Sequence, residues 1–337
     1  MSIVRLDGFE RLVLQPDMWD LLGGSGWTTG VGRNGGRSIV NTAGSVVAYQ
    51  HLDKSPEKQA TGNVTKLVAG FGFKNGMFFD VFDTGPFALA TLYRLVVDVF
   101  GNLHVQNGAG TDVLVTNDPD TQILAEVWNF VEVKFDITAG TITLRINGKE
   151  VGEATGQTIP QPGSVALRGG VGAFDDFYLV DGHGAHYNDF LGDMTIFHGT
   201  PNITVLGQWT SKGGGAQHLE VDDPYPNHDG DGSYNESNVV GHMDLFKIAP
   251  SAFDPDDNAF FGIQLTVVAK KLSSGSQFLR MVVRSGGTDY LSPAVYALPA
   301  DYAAFNWVVE TNPATGLPWT QPQAEDAAYG YVIAPAA

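Results

Sequence analysis

The chain has 337 residues, no cysteine, and a net charge of −18 from 37 acidic and 19 basic side chains. Disulfides and cysteine-ligated zinc are excluded, and a polyanion such as DNA is repelled on average. The 42 glycines and 17 prolines point to frequent tight turns, as in a protein of many short strands.

This length predicts two domains of about 150 residues each, large enough to bury a core without staples. Met1–Gly8 has no basic segment leading into an apolar run, so no signal peptide is expected. No window approaches the roughly 18 apolar residues of a membrane-spanning helix. The sequons at Asn63, Asn202 and Asn235 read as chance matches.

Gly30-Val31-Gly32-Arg33-Asn34-Gly35 matches a dinucleotide fingerprint in letters only. That chemistry needs a strand before the glycines and a helix after them, and Gly36–Val40 reads as the start of a strand. Leu95–Phe100 is predicted to turn at Gly101-Asn102 into Leu103–Gln106. Thr121–Val127 has the composition for a turn or two of helix. Val131, Val133, Phe135 and Ile137 alternate with Glu132, Lys134 and Asp136, which predicts a strand with one wet face. Ile142, Leu144 and Ile146 follow in the same style, and Asn147-Gly148 predicts a type I′ hairpin turn. Phe174–Asp181 reads as the last strand of a first sandwich, and Gly182–His186 as a polar connector. The domain boundary is placed there, giving domains 1–185 and 186–337.

In the second half, Ile263–Lys270, Phe278–Arg284 and Trp307–Glu310 read as strands, and Pro299–Ala304 and Gln323–Ala328 as short helical turns. Trp128–Glu132 and Asn306–Glu310 echo each other, as ordinary strand composition also would. Ala294–Ala337, with Pro293, Pro299, Pro313, Pro318 and Pro322, is expected to run extended and to serve subunit contacts. The pattern as a whole predicts an all-β protein of two tandem β-sandwich domains.

Catalytic and metal motifs are thin. Asn227-His228-Asp229-Gly230-Asp231-Gly232 has the alternating oxygens and the glycine of a calcium loop, so Asp229 and Asp231 are the candidate Ca²⁺ ligands. The twelfth position is Asn238 rather than Glu, which leaves out the bidentate carboxylate; a solvated acidic turn fits as well. Asp254–Asn258 is a less specific version, and Asp175-Asp176 could hold a metal or cap a turn. No Glu-x-Asp-x-x-Glu strand of a β-sandwich glucanase is present; Glu220–Asp223 is the nearest acidic cluster. His183 and His186 lack a nameable third ligand. No Gly-x-Ser-x-Gly elbow occurs. No catalytic, cofactor-binding or metal residue is therefore assigned, no cofactor is expected, and the chain reads as a non-enzyme. Exposed tryptophan or tyrosine could stack on a sugar ring.

Several motifs in order resemble one family. These are Gly32–Ser38, Val68–Phe73, Trp128–Glu132, Arg145–Gly148 and Phe174–Asp181, followed by Asn188–Asp193, Val221–Asp223, Asp229–Asp231 with Ser233-Tyr234, Arg284–Tyr290, Glu310–Pro313 and Trp319-Thr320. The series is similar to concanavalin A-like (laminin G-like) jelly-roll domains of tailed-phage virion proteins, with Pro226–Asp229 longer than that pattern. The resemblance implies a jelly roll for the first domain. It also implies a non-enzymatic structural role in a virion assembled in the host cytoplasm, as tail tip, fibre, spike or head decoration. The partners expected from it are other virion proteins and further copies of the chain in a homo-oligomer, with host attachment through a surface glycan an added role; neither nucleic acid nor membrane insertion is expected. Two alternatives stand beside it: a carbohydrate-binding adhesin domain, and a glycan hydrolase or lyase.

Overall fold

A computed structural model of the chain describes residues 3–7, 27–33, 37–41, 46–52, 64–75, 78–82, 90–168, 172–223, 228–249 and 260–335. The chain divides into two compact units, Met1–Ile196 and Phe197–Ala337. Both are built almost wholly from antiparallel strands, so the protein is all-β.

The first unit is a sandwich of two sheets. One sheet runs Lys149–Ala154, Thr141–Ile146, Asn129–Asp136, Lys66–Lys74, Gly172–Val180, Arg37–Asn41, Trp27–Val31, with Ile3–Asp7 also paired to Gly172–Val180. The other runs Val46–His51, Ser164–Arg168, Phe78–Phe82, Thr91–Val97, Leu103–Asn107, Asp112–Val115. The chain crosses between sheets after Arg37–Asn41, Val46–His51, Lys66–Lys74, Asp112–Val115, Lys149–Ala154 and Ser164–Arg168, the winding of a jelly roll. Facing side chains fill the gap. Phe71 of one sheet lies 5.5 Å from Phe79 of the other, and Tyr93 lies 5.0 Å from Phe135, ring centre to ring centre. Val131, Val133, Ile142 and Leu144 point into the same layer and are fully buried. The period-2 pattern produces this because alternate residues of a strand share a face.

The predicted hairpins form. Asn147 and Gly148 both have positive φ, 49° and 78°, and join Ile146 directly to Lys149. At Asp98–Asn102 the Asp98 carboxylate accepts the N–H groups of Phe100 (2.8 Å) and Asn102 (2.9 Å), and Gly101 takes φ 84°. The face of Glu132 and Lys134, predicted wet, is instead covered. Residues Asn188–Met194 lie across it: Phe190 packs under Lys134 and Arg145, and Glu132 is 0% exposed. Polar alternation marks which residues share a face, not whether later chain covers that face.

The second unit holds a sheet ordered Pro201–Gly207, Met243–Ile248, Ala328–Ala334, Phe278–Ser285, Thr288–Leu291, with Tyr296–Ala297 pairing alongside Phe278–Leu279. A two-stranded ribbon, Ile263–Ala269 with Ala303–Val309, contributes Leu265 and Val309 to a core with Met281, Val283, Tyr329 and Trp319. The Gly286-Gly287 turn has φ 58° and 79° and brings Arg284 onto Asp289. The region Ala294–Ala337 departs from the extended path expected of it. It supplies the Ala303–Val309 strand, a six-residue helix Gln321–Asp326, and the Ala328–Ala334 strand, every residue of which is buried between two neighbours. Helical turns expected at Thr121–Val127 and Pro299–Ala304 are replaced by a 3₁₀ turn at Pro119–Thr121 and by the start of a strand at Ala303.

Candidate functional site

The acidic motifs of the first unit are structural. Gly30 and Val31 end a strand that pairs with Arg37–Asn41 through Val31 and Arg37, so no helix follows the fingerprint glycines; Asn34–Gly36 lie outside the described residues. Arg33 reaches instead to the Phe174–Val180 motif. Its N–H donates to Asp175 (2.7 Å) and its Nε to Asp176 (3.1 Å), while its guanidinium also bonds Asp193 and the Met194 carbonyl. Asp176 also accepts the Ile196 N–H (2.8 Å) and sits at φ 48°, a left-handed conformation that aspartate tolerates. Burial raises the Asp176 pKa, opposed by the Ile196 hydrogen bond and by Arg33. Glu132 takes the Tyr178 hydroxyl and the Gly192 N–H (2.8 Å). Asp175 and Asp176 thus fasten loops rather than aim at an open cleft.

The remaining acids divide in the same way. Asp80 is fully buried and bonded by Arg94 at 2.7 and 3.2 Å. Glu220 is buried and accepts Ser211 Oγ (2.8 Å) and the N–H groups of Gly213 (3.0 Å) and Tyr234 (3.3 Å). His183 Nδ1 lies 3.3 Å from Asp181, whereas His186 stands beside Tyr187; the two histidines do not converge on a common ligand set. Among the described residues, no group of three His, Cys, Asp or Glu side chains is placed to hold a metal. Asp254–Asn258 lie outside the described residues.

Asp229 and Asp231 belong to a surface cluster in the second unit. The ribbon register pairs Ala269 with Ala303, so the next residue of one strand, Lys270, and the preceding residue of the other, Tyr302, leave the same end side by side. The Asp229–Tyr234 loop reaches that end. Lys270 Nζ is 2.7 Å from Asp231 Oδ1 and lies 4.4 Å over the Tyr302 ring. The Tyr302 hydroxyl is within bonding distance of Asp231 (3.0 Å) and of the Gly230 carbonyl (2.9 Å). His228 stands 5.1 Å from the Tyr302 ring centre, and Lys212 Nζ lies 5.0 Å over Tyr234. Asp231 stays 67% exposed in its side chain while Lys270 is at 17%.

The ligand pattern of a calcium loop is not realised. Asp229 turns back to Ser233, accepting its N–H (2.7 Å) and hydroxyl (3.0 Å), and Asp231 has the Lys270 ammonium where a divalent ion would bind. Hydrogen bonds from Lys270 and then Tyr302 hold Asp231 below the usual carboxylate range. Desolvation and then Asp231 push the Tyr302 phenol up to about 12. Neither group is poised to exchange a proton near neutrality. The cluster presents half-exposed rings ringed by fixed donors and acceptors, a surface suited to holding a polar ligand that has an apolar face. Sequence reading found Asp229 and Asp231 but not Lys270 and Tyr302, whose only signal is their position at the ends of two paired strands.

No protein-family profile matches the chain, and no curated protein matches it. Solved structures do. A heptameric SAP-like pentraxin from Limulus polyphemus is 16% identical over 34% of this chain and 63% of that one, at TM-score 0.28, so the match spans less than two thirds of the pentraxin. The CBM40 of the Ruminococcus gnavus IT-sialidase, bound to α2,3-sialyllactose, is 16% identical over 46% of this chain and 91% of that one, at TM-score 0.31. Lectin II from Ulex europaeus is 11% identical over 47% of this chain and 83% of that one, at TM-score 0.29. At such scores the likeness bears on neither ligand nor partner.

Proposed function

We propose that the protein is a non-catalytic carbohydrate-binding β-sandwich protein, and that the Tyr302 cluster of its second unit is the sugar contact. The observation that carries this reading is the juxtaposition of the Tyr302 and Tyr234 rings with Asp231, Lys270 and Lys212 on adjoining loops. A pyranose has apolar C–H faces and a rim of hydroxyls. Aromatic rings match the first, and carboxylate and ammonium groups match the second. A hydrolase reading needs a carboxyl held protonated beside an ionised one, whereas Lys270 holds Asp231 below the usual carboxylate range and Asp229 is turned back onto Ser233.

The test is glycan-array binding followed by titration with each hit. Tyr302→Ala and Asp231→Asn are expected to weaken binding about tenfold or more each, that is, at least about 1.4 kcal/mol. Silence across bacterial and animal surface glycans rejects the proposal, and so does a hit whose affinity ignores both substitutions. The virion role implied by the sequence motifs, with its homo-oligomer and its neighbouring virion proteins, remains a proposal compatible with sugar binding. Its support is the ordered motif series, and a protein that stays a strict monomer in solution counts against it.

A further inference from the structure

Turns at one end of the first unit display apolar side chains to solvent. Val99 is 93% exposed and Phe100 74%, on the turn between Thr91–Val97 and Leu103–Asn107. Leu124 is 59% exposed and Val127 48%, on the loop that leads into Asn129–Asp136. The two loops are joined, because the Ile123 N–H donates to the Gly101 carbonyl at 2.8 Å.

Both loops are held rigid through their backbones. Asp98 accepts the Phe100 and Asn102 N–H groups; partial desolvation opposes its ionisation, yet bonds from Asn102, His104 and Phe100 bring its pKa to about 2. Asn129 Nδ2 donates to the Val127 carbonyl (3.0 Å), and Asn75 accepts the Glu126 N–H (2.7 Å) while donating to the Glu126 carboxylate (2.7 Å). The polar groups are thus spent on fixing the loops, and the apolar side chains are left outward. Apolar groups displayed on pinned turns lose little entropy when a partner covers them. A solvated tip gains nothing from that arrangement, whereas a contact surface does.

The charge around this tip selects the partner. Between Arg94 and Lys134 the sequence has no lysine or arginine but has Asp98, Asp112, Asp118, Asp120, Glu126 and Glu132, of which only Glu132 is fully buried. Among the described residues, Lys74 stands 3.6 Å from Glu126, and His104 lies between Asp98 (3.2 Å) and Asp112 (3.0 Å). An anionic membrane, a polyanion and the same tip of a second copy would all meet like charge. We infer that this tip docks a protein partner whose contact surface is apolar at its centre and basic at its rim.

The probe is a cationic amphipathic peptide of lysine, leucine and phenylalanine, read by titration against the full-length protein. A scrambled peptide of the same composition and vesicles of phosphatidylcholine with and without phosphatidylglycerol are run in parallel. The expected result is peptide binding that Phe100→Ser with Leu124→Ser weakens at least about tenfold and that Leu272→Ser, at an equally exposed leucine of the second unit, leaves unchanged. High salt should weaken it further. Equal affinity of the two variants overturns the inference, as does equal binding of the scrambled peptide. So does vesicle binding, or self-association, that is lost with the Phe100 and Leu124 changes. An unchanged unfolding midpoint confirms that the exposed substitutions leave the fold intact.

Discussion

Replacing Tyr178 with Phe tests the strap that covers the outer sheet face of the first unit. The ring stays where it is, stacked at 6.3 Å on Phe130 and closed over Gly70, where no Cβ fits. Only the hydroxyl is lost. That hydroxyl donates to Glu132, which is 0% exposed, and accepts the Leu191 N–H at 3.1 Å. Glu132 Oε1 then keeps only the Gly192 N–H (2.8 Å). Two buried groups lose a partner at about 1–3 kcal/mol each, and the bond to the carboxylate is charge-assisted, so a loss of about 3 kcal/mol is expected. Glu132→Gln keeps the shape and one acceptor oxygen and should cost less, about 1–2 kcal/mol. Because the two changes strike one bond, the double variant should cost about 1–2 kcal/mol less than their sum. Urea unfolding gives the free energies, and amide exchange at Leu191 and Gly192 assigns the loss to the strap. Additivity within about 0.3 kcal/mol, or strap amides no less protected in Tyr178→Phe, would refute a shared network.

Trp319→Ala should destabilise the second unit by about 3–5 kcal/mol, since the ring is 2% exposed in the core with Leu265, Met281 and Tyr329 and its Nε1 donates to the Val309 carbonyl (3.0 Å); thermal unfolding with and without the substitution measures it. Alkali should act on both units. Burial raises Tyr178, Tyr329 and Tyr331 above the free phenol value, and for Tyr178 and Tyr331 the neighbouring Glu132 and Asp244 carboxylates add to it. A phenol whose pKa is higher folded than unfolded stabilises the fold fully below about pH 10, and that contribution is lost as pH rises toward the folded value. Stability measured by urea titration should therefore fall above pH 10 in step with the 295 nm absorbance of tyrosinate, and a flat profile to pH 12 would contradict the burial of these hydroxyls.

The all-β character was legible because alternation is local: Val131, Val133 and Phe135 face one way whatever else the chain does. The burial of Glu132 was not, because its cover comes from Asn188–Met194, brought back by an intervening hairpin and crossover. The last strand shows a signal that was present and outweighed. Ala-Tyr-Gly-Tyr-Val-Ile-Ala at Ala328–Ala334 is apolar on both faces, the mark of a central strand, whereas the prolines nearby argue for extended chain. Gly330 belongs to the same signal, since a Cβ there would strike the Asp244 carbonyl of the adjoining strand.

The Tyr302 cluster illustrates where sequence reading stops for a site. Acidic residues in a glycine-rich loop read as ion ligands, because spacing supplies Asp229 and Asp231 but says nothing of what faces them. Strand register supplies the rest: once Ala269 pairs with Ala303, Lys270 must stand next to Tyr302, and a carboxylate delivered to that corner meets an ammonium before it meets a metal. The same pairing fixes the chemistry. The aspartate is held low by the lysine, and the phenol is held high by burial and then by that aspartate, so both groups sit away from the neutral range in which side chains pass protons. On the proposed reading, a sugar is held there through fixed donors, acceptors and ring faces.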